Sequence, residues 1–293
     1  MYKYTHSIKK LPKSTVEIEL KIAKEEVAKA YEKAFATLSE SLEVEGFRRG
    51  KAPKNIAEKH LNKEKVYNTL LQDLLGAVYE DVVKKEGLMP IINPRIDLQK
   101  AKEGEDWTIT IGVAQKPAIV LGDYKKRLAE VKKSKKKDEI WVPGKSQGAA
   151  PTEQEKAAQQ QQLLNELLNE LLEAVQIEIS DLVMEEELNA RLTRLVDDVQ
   201  KIGMTTDSYL KSKNVTIEDL KAQYKKEIEN THKLEFALAE IADQEKIEVG
   251  DDEIKKLFAA VKTPKEQEQV QKNAYMYTVL LRKQKTLDFL LNL

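Results

Sequence analysis

Alternate residues of STVEIELKI are apolar: Val16, Ile18, Leu20 and Ile22. A period of two places all four on one face of a strand, and no helix can do so. WTITIGV repeats the pattern with Trp107, Ile109, Ile111 and Val113, and PRIDL, after Pro94, supplies a shorter strand. Between the first two runs the period changes to that of a helix, from about residue 24 to 42 and again from about 63 to 85. The second of these stretches carries Val66, Leu70, Leu74, Val78 and Val82. Strands this far apart, with amphipathic helices between them, bury their apolar faces together only as a sheet that the helices cover. The first half is therefore predicted to be an α+β unit with a small antiparallel sheet.

The second half has no such alternation. LLNELLNELLEAV places pairs of leucines every four residues, and ISDLVMEEELNARLTRLVDDVQKIG starts a new helix behind Ser180 as its N-cap. TIED at Thr216 and TPKE at Thr263 have the form in which a threonine and a later acid satisfy each other's backbone donors. Pro264 stands at the first helical position of the latter. The second half is predicted to be all-α. A chain of 293 residues is long for one core, so two units are expected.

Charge divides the chain in the same place. Residues 1–137 hold 29 Lys and Arg against 20 Asp and Glu, a net of +9; residues 138–293 hold 20 against 30, a net of −10. Such polarity points to a polyanionic partner for the first half. With no cysteine in the chain, disulfides, thiolate metal sites and cysteine nucleophiles are excluded. The N-terminal stretch has no apolar signal-like region, and no apolar run is long enough to cross a membrane, so a cytoplasmic protein is expected. His6, His60 and His232 are far apart in sequence with no supporting acid pattern, and Glu185–Glu187 is a solvated helix face. No catalytic residue, metal or cofactor is expected.

GFRRGKAP, Gly46–Pro53, lies between two helical stretches, with Pro53 placed to start a short helix. Its glycines permit backbone angles closed to other residues, and adjacent Arg48 and Arg49 cannot both be buried. A phosphate-binding loop fails on spacing, because three residues separate the glycines and Ala52 follows the lysine. GKS at Gly144–Ser146 fails too, with Glu139 where a glycine is required. No nucleotide site is expected. Two readings remain from the residues alone: a solvated turn with Phe47 tucked into its own domain, or a docking tip offering an aromatic anchor and bidentate cations.

GFRRGKAP resembles the G-F-R-K-G-K-x-P signature of trigger factor, the bacterial chaperone bound at the ribosomal exit tunnel. Arg49 stands where Lys is more common and keeps the charge. EGLMPIINPRIDL, EDWTITIGVAQKP and LGDYK are similar to the rest of that family's N-terminal domain, and YKKEIENTHKLEFALAEIADQEKIEVGDDEI, residues 224–254, is similar in pattern to its C-terminal domain with two helical arms. The resemblance implies a ribosome-contacting tip at Phe47, Arg48 and Arg49, shaped or supported by Gly46, Gly50, Lys51 and Pro53. It implies as partners the exit-tunnel protein and RNA of the ribosome and nascent polypeptides, with a homodimer off the ribosome. It also implies a client cradle to which Leu167, Leu171, Met184, Leu188, Tyr275, Met276 and Tyr277 are candidate contributors, although a residue of this kind is more often core than client site when taken singly.

YKKRLAEVKKSKKKDE carries eight cations and one acid between Tyr124 and Lys137, and VPGKSQGAAPTEQEKAAQQQQ follows without apolar periodicity. Residues 124–158 are read as a linker between a domain at 1–123 and a helical domain at 159–293. The family usually inserts a prolyl isomerase domain there. The irregular stretch Asp138–Gln162 spans only 25 residues, and Trp107 and Trp141 are already assigned to a strand and the connector, so that domain is expected to be missing. The reading is an ATP-independent chaperone. The alternatives are a prolyl isomerase and a ribosome- or RNA-binding adaptor with a closed helical bundle.

Overall fold

In the computed structural model the alternating runs form one sheet. The structure describes residues 2–102, 104–139, 152–250, 252–254 and 273–293. Trp141, the GKS of 144–146 and the helix start at Thr263 and Pro264 lie outside the described residues.

Strands β1 (Tyr4–Leu11), β2 (Thr15–Ile22), β3 (Arg95–Lys100) and β4 (Trp107–Ala114) pair antiparallel in the order β1-β2-β4-β3. Register places Ile18 beside Ile111 and Leu20 beside Ile109, so the two apolar sets share one face. All eight alternating residues of β2 and β4 are buried. Helices α1 (Lys24–Ser41), α2 (Lys54–His60) and α3 (Lys63–Glu86) cover that face, with Val27, Ala30, Ala34, Ala57, Leu70 and Leu74 in the same core. Asn62 accepts a hydrogen bond from the Glu64 amide to start α3, and Gly87, at φ 60°, ends it in the left-handed region. β1 has no expectation behind it. Its side chains are at most half-buried because it is an outer strand, so its sequence shows little of the contrast that marks β2.

The first compact unit runs to Pro117 and takes in Ser180–Glu185. Within it Ser180 Oγ lies 2.8 Å from Thr15 Oγ1, Lys13 Nζ 2.7 Å from Asp181, and Leu182 packs over Gly112, where an added Cβ would meet it at 3.2 Å.

The second unit comprises Ala118–Ile179 and Glu186–Leu293. Its elements are β5 (Ile119–Val120), α4 (Tyr124–Glu139), α5 (Glu153–Ala174), β6 (Gln176–Ile177), α6 (Asp181–Lys201, first turn in the other unit), α7 (Thr206–Lys213), α8 (Ile217–Gln244) and α9 (Ala274–Asn292). The Ser180 cap is present, its Oγ accepting from Leu182 N at 3.2 Å, and Thr216 and Asp219 form the reciprocal box expected of TIED. Thr152 and Glu155 form a second box at the start of α5.

The stretch read as a linker is different. Residues 124–139 are helix α4, and Tyr124 and Leu128 are buried with Leu167, Leu171, Leu238, Ile241 and Leu290 in this unit's core. Tyr124, Leu128 and Val131, spaced four and three apart, put an apolar stripe on an otherwise basic helix, with Lys125, Lys126 and Lys133 exposed and Lys132 donating to the Leu291 carbonyl at 2.7 Å. Residues 153–158, placed in the same linker, are the first turns of α5.

Tyr124 ties α4 to the end of α8 by donating from its hydroxyl to Glu245 at 3.1 Å, and Lys125 lies 2.6 Å from the same carboxylate. Burial and then the Glu245 bond raise the Tyr124 pKa well above its ordinary value. Lys125 first, and Tyr124 with it, hold the Glu245 carboxyl below its ordinary value against burial. A depressed carboxyl contributes stability that is present above its unfolded pKa and lost as pH falls through the folded one. Tyr124→Phe is expected to lower stability by about 1 kcal/mol at pH 7 in urea unfolding. The deficit of Glu245→Gln against the parent chain should shrink as pH falls below about 4.

Candidate functional site

The loop after α1 is built from two tight turns in succession. Phe47 N–H donates to Val44 O at 3.0 Å and Lys51 N–H to Arg48 O at 2.9 Å. Gly46 (φ +86°) and Gly50 (φ +73°) each occupy the third position of their turn, where a type II turn needs positive φ. Gly50 N–H also donates to Leu42 O at 3.0 Å, which pins the base of the loop to the end of α1. Gly50 is constrained twice, since an added Cβ would stand 2.6 Å from the Glu40 carbonyl oxygen, whereas nothing lies within 4 Å of one at Gly46. Gly50→Ala is therefore expected to speed hydrogen exchange of the loop amides much more than Gly46→Ala, which carries only the left-handed penalty of about 1–2 kcal/mol.

This backbone presents its side chains outward. Phe47 is 41% exposed and does not join the core cluster, so the tucked-in reading does not describe it. Arg48, Arg49, Lys51 and Pro53 are exposed. Arg49 Nε lies 3.8 Å from Glu43 between two exposed side chains, which is worth little. Arg48 and Lys51 enter no ion pair among the described residues. Behind the tip, Lys54 pairs with Glu32 at 2.7 Å, bracing the start of α2 on α1. An exposed aromatic between stiffened turns, next to uncommitted guanidinium, suits a partner offering an apolar notch and phosphate or carboxylate groups.

The apolar candidates of the second half separate into two groups. Leu167 and Leu171, expected among the client-binding residues, are 0% exposed in the unit's core, and Leu188 is buried as well. Leu167 and Leu171 are enclosed by residues of α4, α8 and α9 in that core. Met184 is half-buried in the first turn of α6. Tyr275 and Met276, 84% and 51% exposed, stand near the start of α9 with Tyr277 half-buried beside them. Val279 and Leu280, also exposed, complete the stripe one turn later. Sequence reasoning did not single these two out. Their offsets of four from Tyr275 and Met276 were the available signal.

The histidines are scattered in the structure as well. His6 Nε2 lies 2.8 Å from Glu86, His60 is exposed, and His232 stacks on Phe236. No group of three or more His, Asp or Glu among the described residues is placed to hold a metal. No described helix is long and apolar enough to cross a membrane.

Two family models match the chain: that of bacterial trigger factor protein over residues 4–140 and that of the bacterial trigger factor C-terminus over residues 150–291. Nine residues, 141–149, lie between them. The chain is 36% identical over 104 residues to the trigger factor of Streptococcus pneumoniae (strain Hungary19A-6), covering 36% of this chain and 24% of that one. With the trigger factor of Limosilactobacillus fermentum it shares 34% over 114 residues, covering 39% and 26%. The matches thus span about a quarter of the length of these curated relatives. A solved trigger factor chaperone, from work on promiscuous substrate recognition in folding and assembly, superposes with a TM-score of 0.63 at 17% identity, over 98% of this chain and 99% of that one. That likeness is one of fold.

Proposed function

The chain belongs to the bacterial trigger factor family, and on that premise we propose that it is an ATP-independent chaperone that docks at the ribosomal exit tunnel and shields emerging polypeptide. The observation that carries this is the loop tip: Phe47 exposed beside Arg48 and Arg49 on a backbone held by three hydrogen bonds. Phe47 is the anchor, the two arginines meet ribosomal protein carboxylates or RNA phosphates, and Gly46, Gly50, Lys51 and Pro53 hold or flank them. Co-sedimentation with vacant ribosomes tests it.

Shielding falls to the helical half. The stripe of Tyr275, Met276, Val279 and Leu280 supports it, because exposed Met and aromatic side chains adapt to varied apolar partners. Weak contacts at several such residues let a client leave when its own folding buries the same groups. Light scattering of an unfolding client mixed with an equimolar amount of this protein should show delayed aggregation; absence of any delay sinks this half of the reading.

No chemical step is needed, and a proline-limited refolding reaction is expected to run at its uncatalysed rate in the protein's presence. Under this reading the protein works in the cytoplasm without nucleotide or cofactor. A homodimer away from the ribosome would appear in sedimentation velocity as a concentration-dependent species.

A further inference from the structure

The sheet of the first unit has an outer strand that is apolar on the wrong side for a finished fold. β3 pairs with β4 on one side, and among the described residues no strand flanks the other. All six of its residues are exposed. Register sets Ile96 opposite Ile111 and Leu98 opposite Ile109, both fully buried on the core face. Residues directly opposite share a face, so Ile96 and Leu98 also lie on the core side, yet they remain 41% and 45% exposed.

They open into a groove of about 440 Å³ whose far wall is Leu71, Leu75 and Tyr79 of α3. Gly76 keeps that wall open. It stands in mid-helix, where Ala would be favoured, and nothing lies within 4 Å of the position its Cβ would take. The Tyr79 hydroxyl is shut off from water without a hydrogen-bond partner.

We propose that this edge docks an extended apolar segment of unfolded polypeptide, which adds to β3 as a further strand and sets alternate side chains into the groove. The edge itself selects this occupant. An outer strand offers backbone donors and acceptors that only another extended backbone can match in series, and the apolar groove beside it takes every second side chain. Met89 and Ile91, exposed just upstream, lengthen the apolar surface. A second copy of this chain fits less well, because the antiparallel self-pairing that engages all six residues sets Arg95 opposite Lys100 twice, with like charges opposed. At the opposite edge of the sheet, β1 carries Lys9 and Lys10, the kind of residues that discourage pairing. The inference rests on the chaperone reading only for the source of the segment.

The probe is a fluorescein-labelled synthetic peptide of alternating valine and threonine with lysine ends, titrated into the full chain by anisotropy and followed by hydrogen exchange. Binding should slow exchange of the amides of 95–100. Gly76→Leu, which fills the groove while favouring the helix, and the pair Ile96→Lys with Leu98→Lys should each weaken binding at least tenfold. The same peptide N-methylated at alternate amides should lose as much against the unaltered protein. Slowed exchange confined to α9, or equal affinity of the N-methylated peptide or of Gly76→Leu, overturns the proposal. So does a peptide-free dimer that the Ile96 and Leu98 changes dissolve, which would make a second copy the occupant. If aggregation is still delayed while 95–100 stays unprotected, this inference alone fails; if the unaltered chain delays nothing, the chaperone reading fails first.

Discussion

Replacing Phe47, Arg48 and Arg49 together by Ala is expected to weaken ribosome binding by at least a hundredfold. An exposed aromatic that enters a pocket is worth about 2–4 kcal/mol at an interface centre, and each tenfold in affinity is about 1.4 kcal/mol. Phe47→Ala alone should therefore account for most of the loss and leave the salt dependence unchanged. Arg48→Ala should cost less but flatten the slope of log affinity against log salt by about one, if its partner is a phosphate. Fold damage is a poor explanation for either result, since all three side chains are exposed and the loop's hydrogen bonds are made by backbone atoms. Urea unfolding of the triple variant should match the parent within about 0.5 kcal/mol. Binding that survives the triple change would return the loop to a solvated turn.

The second large effect separates core from client surface within one list of apolar candidates. Leu171→Ala is expected to destabilise the protein by about 2–5 kcal/mol, because a fully buried leucine leaves a cavity that its neighbours fill only in part. Tyr275→Ala with Met276→Ala should change stability by less than about 1 kcal/mol, because both side chains already stand in water. The same pair should shorten the delay in client aggregation. If the α9 pair destabilises the chain as Leu171→Ala does, those residues belong to a core and the client surface lies elsewhere.

Much of the first unit was legible because its signals are local. Four alternating residues in β2 and four in β4 state their own period, and the helix bounds of about 24–42 and 63–85 differ from Lys24–Ser41 and Lys63–Glu86 by a residue at their C-terminal ends. The loop was legible through Gly46 and Gly50, whose positive φ is a demand that sequence writes directly. The caps at Ser180 and Thr216 were legible for the same reason, each being a contact made within three residues. β1 and α4 were not. One is an outer strand with no deeply buried residue, and the other is a basic helix in which Tyr124 and Leu128 do the packing.

By itself, then, the sequence determined periods, caps, turn glycines and the split of charge between the halves, since each depends on residues a few positions apart. Only the tertiary structure decided which apolar side chains are enclosed. Leu171 in α5 and Leu280 in α9 are the same residue type on amphipathic helices, yet one is sealed by α4, α8 and α9 and the other faces water. The tertiary structure likewise decided that Ile96 and Leu98 border an open groove although Ile109 and Ile111, their partners in register, are covered. Burial is conferred by neighbours that arrive from distant parts of the chain, and no local pattern records which of them will come.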